Sequence, residues 1–221
     1  MRVLICGAAG VLGEAMRRTF LSAGHAVACI DRIGAASQAE DEHWFPCTDL
    51  ADPLACESSV AAAVDWLGGL DAVVQLVGAF DWMEVADSSL SDWRGLYRAN
   101  VETTLAVVQS CVPLMTDGGS IVTVGAASAQ PAGKGMAPYA AAKSGVARLS
   151  EALADELMPR NIRVNAVLPK VIDTPRNRQD MPDVDPGTWT SPDAVGSVIL
   201  FLALPDSRAI NGASIPVTNA G

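Results

Sequence analysis

The sequence predicts an α/β fold, a doubly wound and mostly parallel sheet of about seven strands, and three observations predict it. Short apolar runs alternate with helically spaced stretches along the whole chain, and strands separated by single helices require parallel βαβ units. The first apolar run empties into a turn with glycines at three positions, Gly7-Ala8-Ala9-Gly10-Val11-Leu12-Gly13, before a helix begins. Half of the 221 residues are hydrophobic and 18% are charged, which is enough for one well-buried core. No linker, internal repeat or low-complexity segment divides the chain, so residues 1–221 read as one domain.

Arg2–Cys6 is the first strand, closed by glycine. Val11–Ala23 is the first helix, with Leu12, Ala15, Met16, Thr19 and Phe20 on one face and Gly24 as its stop. Ala26–Ile30 and the shorter Trp44–Cys47 read as the second and third strands. Asp52-Pro53 starts a helix, with Asp as the cap and Pro in the first turn. Ala72–Val77 is a strongly apolar strand, and Ser91–Met115 reads as one long helix ended before Gly118-Gly119. Ser120–Val124, the helix Pro138–Met158 and the strand Ile162–Leu168 follow. Asp173–Thr190, with Pro175, Pro182 and Pro186, reads as a long irregular loop, and such loops are often functional. Ser191-Pro192 opens the last helix, and Ser214–Val217 is the final strand.

The formal net charge of −10 argues against nonspecific nucleic-acid binding and against anionic membrane surfaces. It does not exclude a local phosphate site, because backbone N–H groups bind phosphate without any cation. Cys6, Cys29, Cys47, Cys56 and Cys111 form no CxxC pair, and they read as buried free thiols of a reducing cytosol. With only His25 and His43 present, no metal site is expected. The opening MRVLIC reads as a strand rather than a signal peptide, and no run of 18 apolar residues follows. A soluble, cytoplasmic protein is expected.

The glycine turn makes the predicted fold a Rossmann-type one. Gly7 permits the tight turn, Gly10 lets backbone approach a pyrophosphate, and Gly13 lets the helix pack close to the sheet. Val11 and Leu12 open the helix whose N-terminus adds its partial positive charge. The second strand leads into Asp31, 24 residues after Gly7, a suitable distance for a carboxylate on the adenosine ribose hydroxyls. Asp31 favours NAD(H), because a 2′-phosphate would meet like charge. Arg32 leaves NADP(H) as the alternative.

Tyr139-Ala-Ala-Ala-Lys143, at the start of a long helix and downstream of that turn, resembles the short-chain dehydrogenase/reductase family. The resemblance spans essentially the whole chain. It implies that Asp49-Leu50 contact adenine and that Asn100, in Tyr-Arg-Ala-Asn-Val, supports a proton relay. It also implies that Pro169 and Ile172-Asp173-Thr174 meet the nicotinamide carboxamide, and that Asn211-Gly-Ala-Ser-Ile-Pro-Val forms the C-terminal strand. The departures are specific. Val11 stands where the central glycine is usual, Lys170 replaces a glycine, and Gln75-Leu76-Val77-Gly78 replaces Asn-Asn-Ala-Gly at the cofactor-facing turn. Ala126, 13 residues before Tyr139, replaces the family's serine. A branch similar to dihydropteridine reductase also lacks that serine. It shares the likeness of Leu168-Pro169, Asp173-Thr174-Pro175, Asn177-Arg178 and Met181-Pro182, with Trp189-Thr190 following.

A free phenol has a pKa near ~10, and a neighbouring ammonium lowers it. Tyr139 and Lys143 lie four apart and share a helix face, so the resemblance assigns them proton transfer. Ser128 is a stand-in for the missing serine if the strand continues to it, displaced by roughly 6–7 Å. Phe80, Trp82, Met136 and Trp189 are candidates for an apolar substrate wall, or for core or dimer packing. The expected activity is NAD(P)-dependent hydride transfer to or from a small carbonyl, alcohol or quinonoid substrate. Reduction of a quinonoid dihydropterin and a dinucleotide-sensing scaffold are the alternatives. The two long helices, rich in Ala, Val and Leu, imply a homodimer or homotetramer, since equivalent helices pair across a two-fold axis in the resembling family.

Overall fold

Side chains that alternate along a strand need an apolar layer on each side, and here both layers form against one sheet. The computed structural model describes residues 1–34 and 39–219. Its strands are β1 (Arg2–Cys6), β2 (Ala26–Asp31), β3 (Glu42–Pro46), β4 (Leu70–Gln75), β5 (Met115–Val124), β6 (Arg163–Pro169) and β7 (Ser214–Val217). They lie in the order β3-β2-β1-β4-β5-β6-β7, and every pairing is parallel. The helices are α1 (Val11–Ser22), α2 (Pro53–Leu67), α3 (Leu90–Tyr97), α4 (Thr103–Cys111), α5 (Ala137–Glu156), α6 (Pro175–Asp180) and α7 (Pro192–Ala203).

The helices divide between the two faces. On β1, Leu4 and Cys6 join a core with Val60 of α2, Val107 of α4 and Leu153 of α5. Val3 and Ile5 join the opposite core with Met16 and Phe20 of α1 and Ile199 of α7. Caps set the helix starts where the sequence predicted them. Asp52 accepts from Leu54 N and Ala55 N with Pro53 behind it, and Ser191 accepts from Ala194 N ahead of α7.

Several expected boundaries move. The helix expected over Ser91–Met115 is α3, a π-helical turn at Arg98–Glu102, then α4 and a 3₁₀ turn at Val112–Leu114. Met115 belongs to β5, which starts five residues before Ser120 and reaches its register with β4 through an irregularity between Leu70 and Ala72. β4 runs Leu70–Gln75 rather than Ala72–Val77, because the chain leaves the ladder after Leu76 N bonds Cys6 O. The third strand is Glu42–Pro46 rather than Trp44–Cys47, and the second long helix is Ala137–Glu156. The loop expected over Asp173–Thr190 contains α6 and a 3₁₀ turn, and its ends are tied by a bridge between Ile172 and Thr190.

Gly13 sets how closely α1 approaches the turn after β1. A methyl group there would run into the Gly7 carbonyl oxygen and the Ala8 backbone. Gly13→Ala is therefore expected to destabilise the protein by about 2–3 kcal/mol. The measurement is the denaturant midpoint, and a midpoint equal to the parent's would mean that the turn gives way freely.

Candidate functional site

The winding of an open α/β sheet reverses between β1 and β4, and the crevice beyond their C-terminal ends is where such sheets bind ligands. A groove of about 1130 Å³ opens there. Gly7 and Gly10 line it at the first turn, Asp31 and Arg32 at the end of β2, Asp49 and Leu50 after β3, and Val77 and Gly78 after β4. Gly7 has φ +86°, and a Cβ on it would lie 3.1 Å from Val77 N, so the position demands glycine. Asp31 is fixed at the groove's end, accepting from Ala9 N at 2.9 Å and Arg32 N at 2.7 Å. Val11 and Leu12 do not line the groove. They open α1, Val11 exposed and Leu12 half-buried against the α1–α7 core.

Asp49 brings a residue that sequence reasoning missed. Arg98, from the π-helical turn, donates to both of its oxygens, at 2.8 and 3.3 Å, while Ala51 N donates at 2.9 Å. The Arg98 guanidinium holds the Asp49 carboxyl below the usual range. No spacing rule links these residues, because the pairing depends on the π turn that aims Arg98 into the groove.

Beside Gly78, at the end of the groove that follows β4, lie Asn100 and Lys143. Asn100 is fully buried, donating from Nδ2 to Leu96 O at 2.8 Å and Ala79 O at 3.0 Å and accepting at Oδ1 from Ala79 N at 3.3 Å. Lys143 Nζ donates to Val124 O at 2.8 Å. A methyl group on Gly78 would lie 2.5 Å from Asn100 Oδ1 and 2.9 Å from Lys143 Nζ, so both polar ends press on this bare backbone. Burial lowers Lys143 to about 8 and raises Tyr139 to about 12. The expected lowering of Tyr139 by Lys143 is thus corrected: burial dominates, and the ammonium is held by a strand carbonyl. Phe80 meets the Tyr139 ring edge-on, with centroids 4.9 Å apart and planes at 86°.

Other expected residues fall elsewhere. β5 ends at Val124, and although Ala127 N still reaches Pro169 O, Ala129 N turns back to Ala126 O. Ser128 therefore sits half-exposed in a turn, not in extended register with the buried Ala126. Pro169 ends β6, Ile172 bridges to Thr190, and Thr174 caps α6 by accepting from Asn177 N at 3.1 Å. Among the described residues none of these three lines the groove. Trp189, a candidate for the substrate wall, is buried at 5% exposure. All five cysteines are free and buried. Among the described residues no cluster of His, Cys, Asp or Glu is placed to hold a metal, and no helix is long and apolar enough to cross a membrane.

The bare turn at Gly7 and Gly10, the carboxylate at the end of β2 and the length of the groove fit a dinucleotide: phosphates on backbone N–H groups, a ribose on Asp31 and a base beside Asp49. Comparison with known proteins points the same way. Residues 7–219 match the family model described as Enoyl-(Acyl carrier protein) reductase. The chain is 29% identical to meso-2,3-butanediol dehydrogenase of Serratia marcescens, over 97% of this chain and 92% of that protein. It is 32% identical to L-rhamnose 1-dehydrogenase (NAD(P)(+)) of Azotobacter vinelandii, over 97% of this chain and 94% of that protein. The solved structure of a short-chain dehydrogenase/reductase from Serratia marcescens superposes with a TM-score of 0.84 at 26% identity, covering 97% of this chain and 94% of the other.

Burial of Lys143 has a measurable linkage. Its value of about 8 in the folded chain lies below the ordinary 10.5, so between those values the unfolded chain binds the extra proton and stability rises with pH. Below about 8 the folded state carries the whole penalty. Lys143→Met, compared without cofactor at pH 7, is expected to be more stable by on the order of 2 kcal/mol, the pKa effect less one lost hydrogen bond. That advantage should shrink as the pH is raised through the window. A stability difference that did not change with pH would contradict the buried ammonium.

Proposed function

This chain belongs to the short-chain dehydrogenase/reductase family and is an NAD(P)-dependent oxidoreductase, and on that premise we propose that it transfers hydride to or from a small carbonyl, alcohol or quinonoid substrate, with Tyr139 as the proton donor or acceptor. The observation that carries the reading is the convergence of Asn100 Oδ1 and Lys143 Nζ on the bare Gly78, beside the helix that bears Tyr139. The bound nicotinamide supplies or accepts the hydride. Gly7, Gly10 and the backbone N–H groups of Val11 and Leu12 at the start of α1 would hold the pyrophosphate, and Asp31 would hold the adenosine ribose. Asp49 and Leu50 would flank the base and Val77 and Gly78 would floor the groove, while the carboxamide contact that the resemblance assigns to Pro169, Ile172 and Thr174 falls outside the groove's lining.

Tyr139 does the proton work. With its hydroxyl raised to about 12, the phenol keeps its proton at neutral pH and is poised to donate it to an oxygen that is gaining charge. Lys143 supplies the cation that steadies the phenolate once the proton has left, and Asn100 positions Gly78 and Ala79 around the lysine. Ser128 has a minor part. Reduction of a quinonoid dihydropterin is the second reading, favoured by Ala126, since an already electrophilic ring needs less help from a hydroxyl. The exposed Leu90, Tyr97 and Leu105 of α3 and α4 support assembly as a homodimer or homotetramer, and the five free thiols suit the cytoplasm.

Tyr139→Phe keeps the ring and removes the acidic proton, so kcat on a simple ketone should fall by ~10²–10⁴ while cofactor still binds. Ser128→Ala should cost less than about 10-fold, the loss of one weakly placed hydrogen bond at most. Steady-state NAD(P)H oxidation across carbonyl, quinone and pterin substrates is the measurement. An unchanged kcat in Tyr139→Phe removes the mechanism. Cofactor binding without turnover on any substrate would favour the sensing role.

Asp31 generates a separate expectation. The native chain should bind NADH more tightly than NADPH, and Asp31→Ser should weaken or reverse that preference by removing the like charge and leaving Arg32 beside the 2′-phosphate. Titration of both cofactors decides it, and a native chain that prefers NADPH about tenfold would overturn the role given to Asp31.

A further inference from the structure

Two segments that the hydride-transfer chemistry does not require meet beside Tyr139. One follows β4 and carries Phe80, which touches the Tyr139 ring, and Trp82. The other precedes α5 and carries Lys134 and Gly135. The two are pinned together. Trp82 Nε1 donates to Lys134 O at 3.1 Å, Met83 N donates to Gly135 O at 2.9 Å, and Lys134 pairs with Glu84 at 2.8 Å. Gly135 has φ +74°, and any side chain on it would collide with the Trp82 indole, so the ring lies directly on backbone.

Two large rings are thereby held at the reactive end and left open to solvent. Phe80 is 57% exposed and Trp82 53%, although Phe80 already touches the Tyr139 ring. Holding apolar rings out in water has no benefit to folding, since each would contribute more if buried. Their pinned placement suits a flat apolar partner that covers them when it binds.

The charges of the same two segments narrow that partner. Residues 79–88 and 130–136 together carry three acidic side chains and one basic one. That one cation, Lys134, is already paired with Glu84 at 2.8 Å. A carboxylate, a phosphate or a phosphopantetheine thioester arriving here meets net like charge and a cation that already has a partner. Ala126 is buried and offers no hydroxyl to a polyol.

We infer that the substrate is an uncharged carbonyl compound bearing a flat, ring-shaped apolar group, seated against Phe80 and Trp82 with its carbonyl at Tyr139. The inference rests on the oxidoreductase reading and specifies the compound on which it acts. The substrate carbon gains a hydride, its oxygen gains the Tyr139 proton, and NAD(P)H is oxidised by two electrons. Charged and purely aliphatic carbonyls are the compounds that these segments disfavour.

Three compounds with one reacting group separate the terms: 1-phenylpropane-1,2-dione, 2,3-butanedione and phenylglyoxylate. The expected order of kcat/KM places the phenyl dione at least about tenfold above butanedione, for the stacked ring, and at least about tenfold above phenylglyoxylate, for the charge. In Phe80→Leu and Trp82→Leu the ratio of phenyl dione to butanedione should fall several-fold. The two variants are compared because Trp82 also supports the Gly135 turn. Glu84→Gln releases Lys134 and should raise kcat/KM for phenylglyoxylate several-fold. Equal rates for the two diones, or ratios unmoved in both aromatic variants, would overturn the ring. A preference for phenylglyoxylate would overturn the charge argument. Either outcome leaves the oxidoreductase reading standing, whereas absence of turnover on all three together with loss of NADH binding would defeat that reading instead.

Discussion

A primary ammonium enclosed between a helix and a sheet must find an acceptor or give up its charge. Lys143 finds the Val124 carbonyl at 2.8 Å, where β5 leaves the sheet, and burial still lowers it to about 8. Much of the reactive end follows from holding that nitrogen there. Helix α5 has to run close to the sheet, and its buried row includes Ala140, Ala142, Ala147 and Ala154, residues small enough to allow it. Gly78 has to lack a side chain, because the ammonium and the Asn100 amide press on it from the groove's inner wall. Tyr139, one helical turn earlier, is carried into the same apolar surroundings, and its proton becomes harder to lose. The two shifts therefore have one origin: exclusion of water from the start of α5.

The amide that completes this arrangement is delivered by a defect in a helix. Arg98–Glu102 forms a π turn between α3 and α4, and side chains bond the carbonyls of the widened region. Asn100 Nδ2 donates to Leu96 O, Thr103 Oγ1 to Arg98 O, and Thr104 Oγ1 to Asn100 O. The widened turn sends Asn100 inward to Gly78 and Arg98 outward to Asp49. One irregularity thus equips both ends of the groove. The Arg98–Asp49 pair is half-exposed, and such pairs add little to stability. Its place in the wall beside the predicted adenine site is the more informative fact about it.

What the sequence revealed and what it concealed divide along physical lines. The glycine turn was legible because tight backbone and close helix approach are demands on residue type, and Gly7 and Gly13 state them directly. The seven strands were legible as apolar runs, and the Tyr139–Lys143 pair as a helical spacing. Boundaries failed where an apolar residue suits either neighbour. Leu76 and Val77 extend the run of β4 after the chain has left the ladder, and Met115 reads equally well as a helix end and as the first residue of β5. The π turn was hidden because its residues keep a helical composition. The partner of Asp49 lies 49 positions away and becomes its neighbour only through that turn. The raised Tyr139 was invisible for another reason, since burial is a property of the packed chain and no spacing encodes it.

An acidic chain must still attract a pyrophosphate, and two arginines around the groove are committed elsewhere. Arg98 is held by Asp49, and Arg17 by Glu42 at 2.8 Å beneath the turn, with the Trp44 ring against its guanidinium. Backbone N–H groups at the turn can supply attraction as well. Helices α2, α3 and α7 each have a side chain that bonds the first-turn N–H groups, from Asp52, Ser89 and Ser191. Helix α1 has Gly10 at that position and no side-chain cap. A glycine cap costs only a few tenths of a kcal/mol relative to a Ser or Asp, and the donors it leaves free are the ones a phosphate needs. A serine or aspartate at position 10 would satisfy the helix and compete with the ligand. The uncapped start of α1 therefore makes sense when the ligand itself completes the helix, which lets a protein of net charge −10 draw on backbone N–H groups to bind an anion.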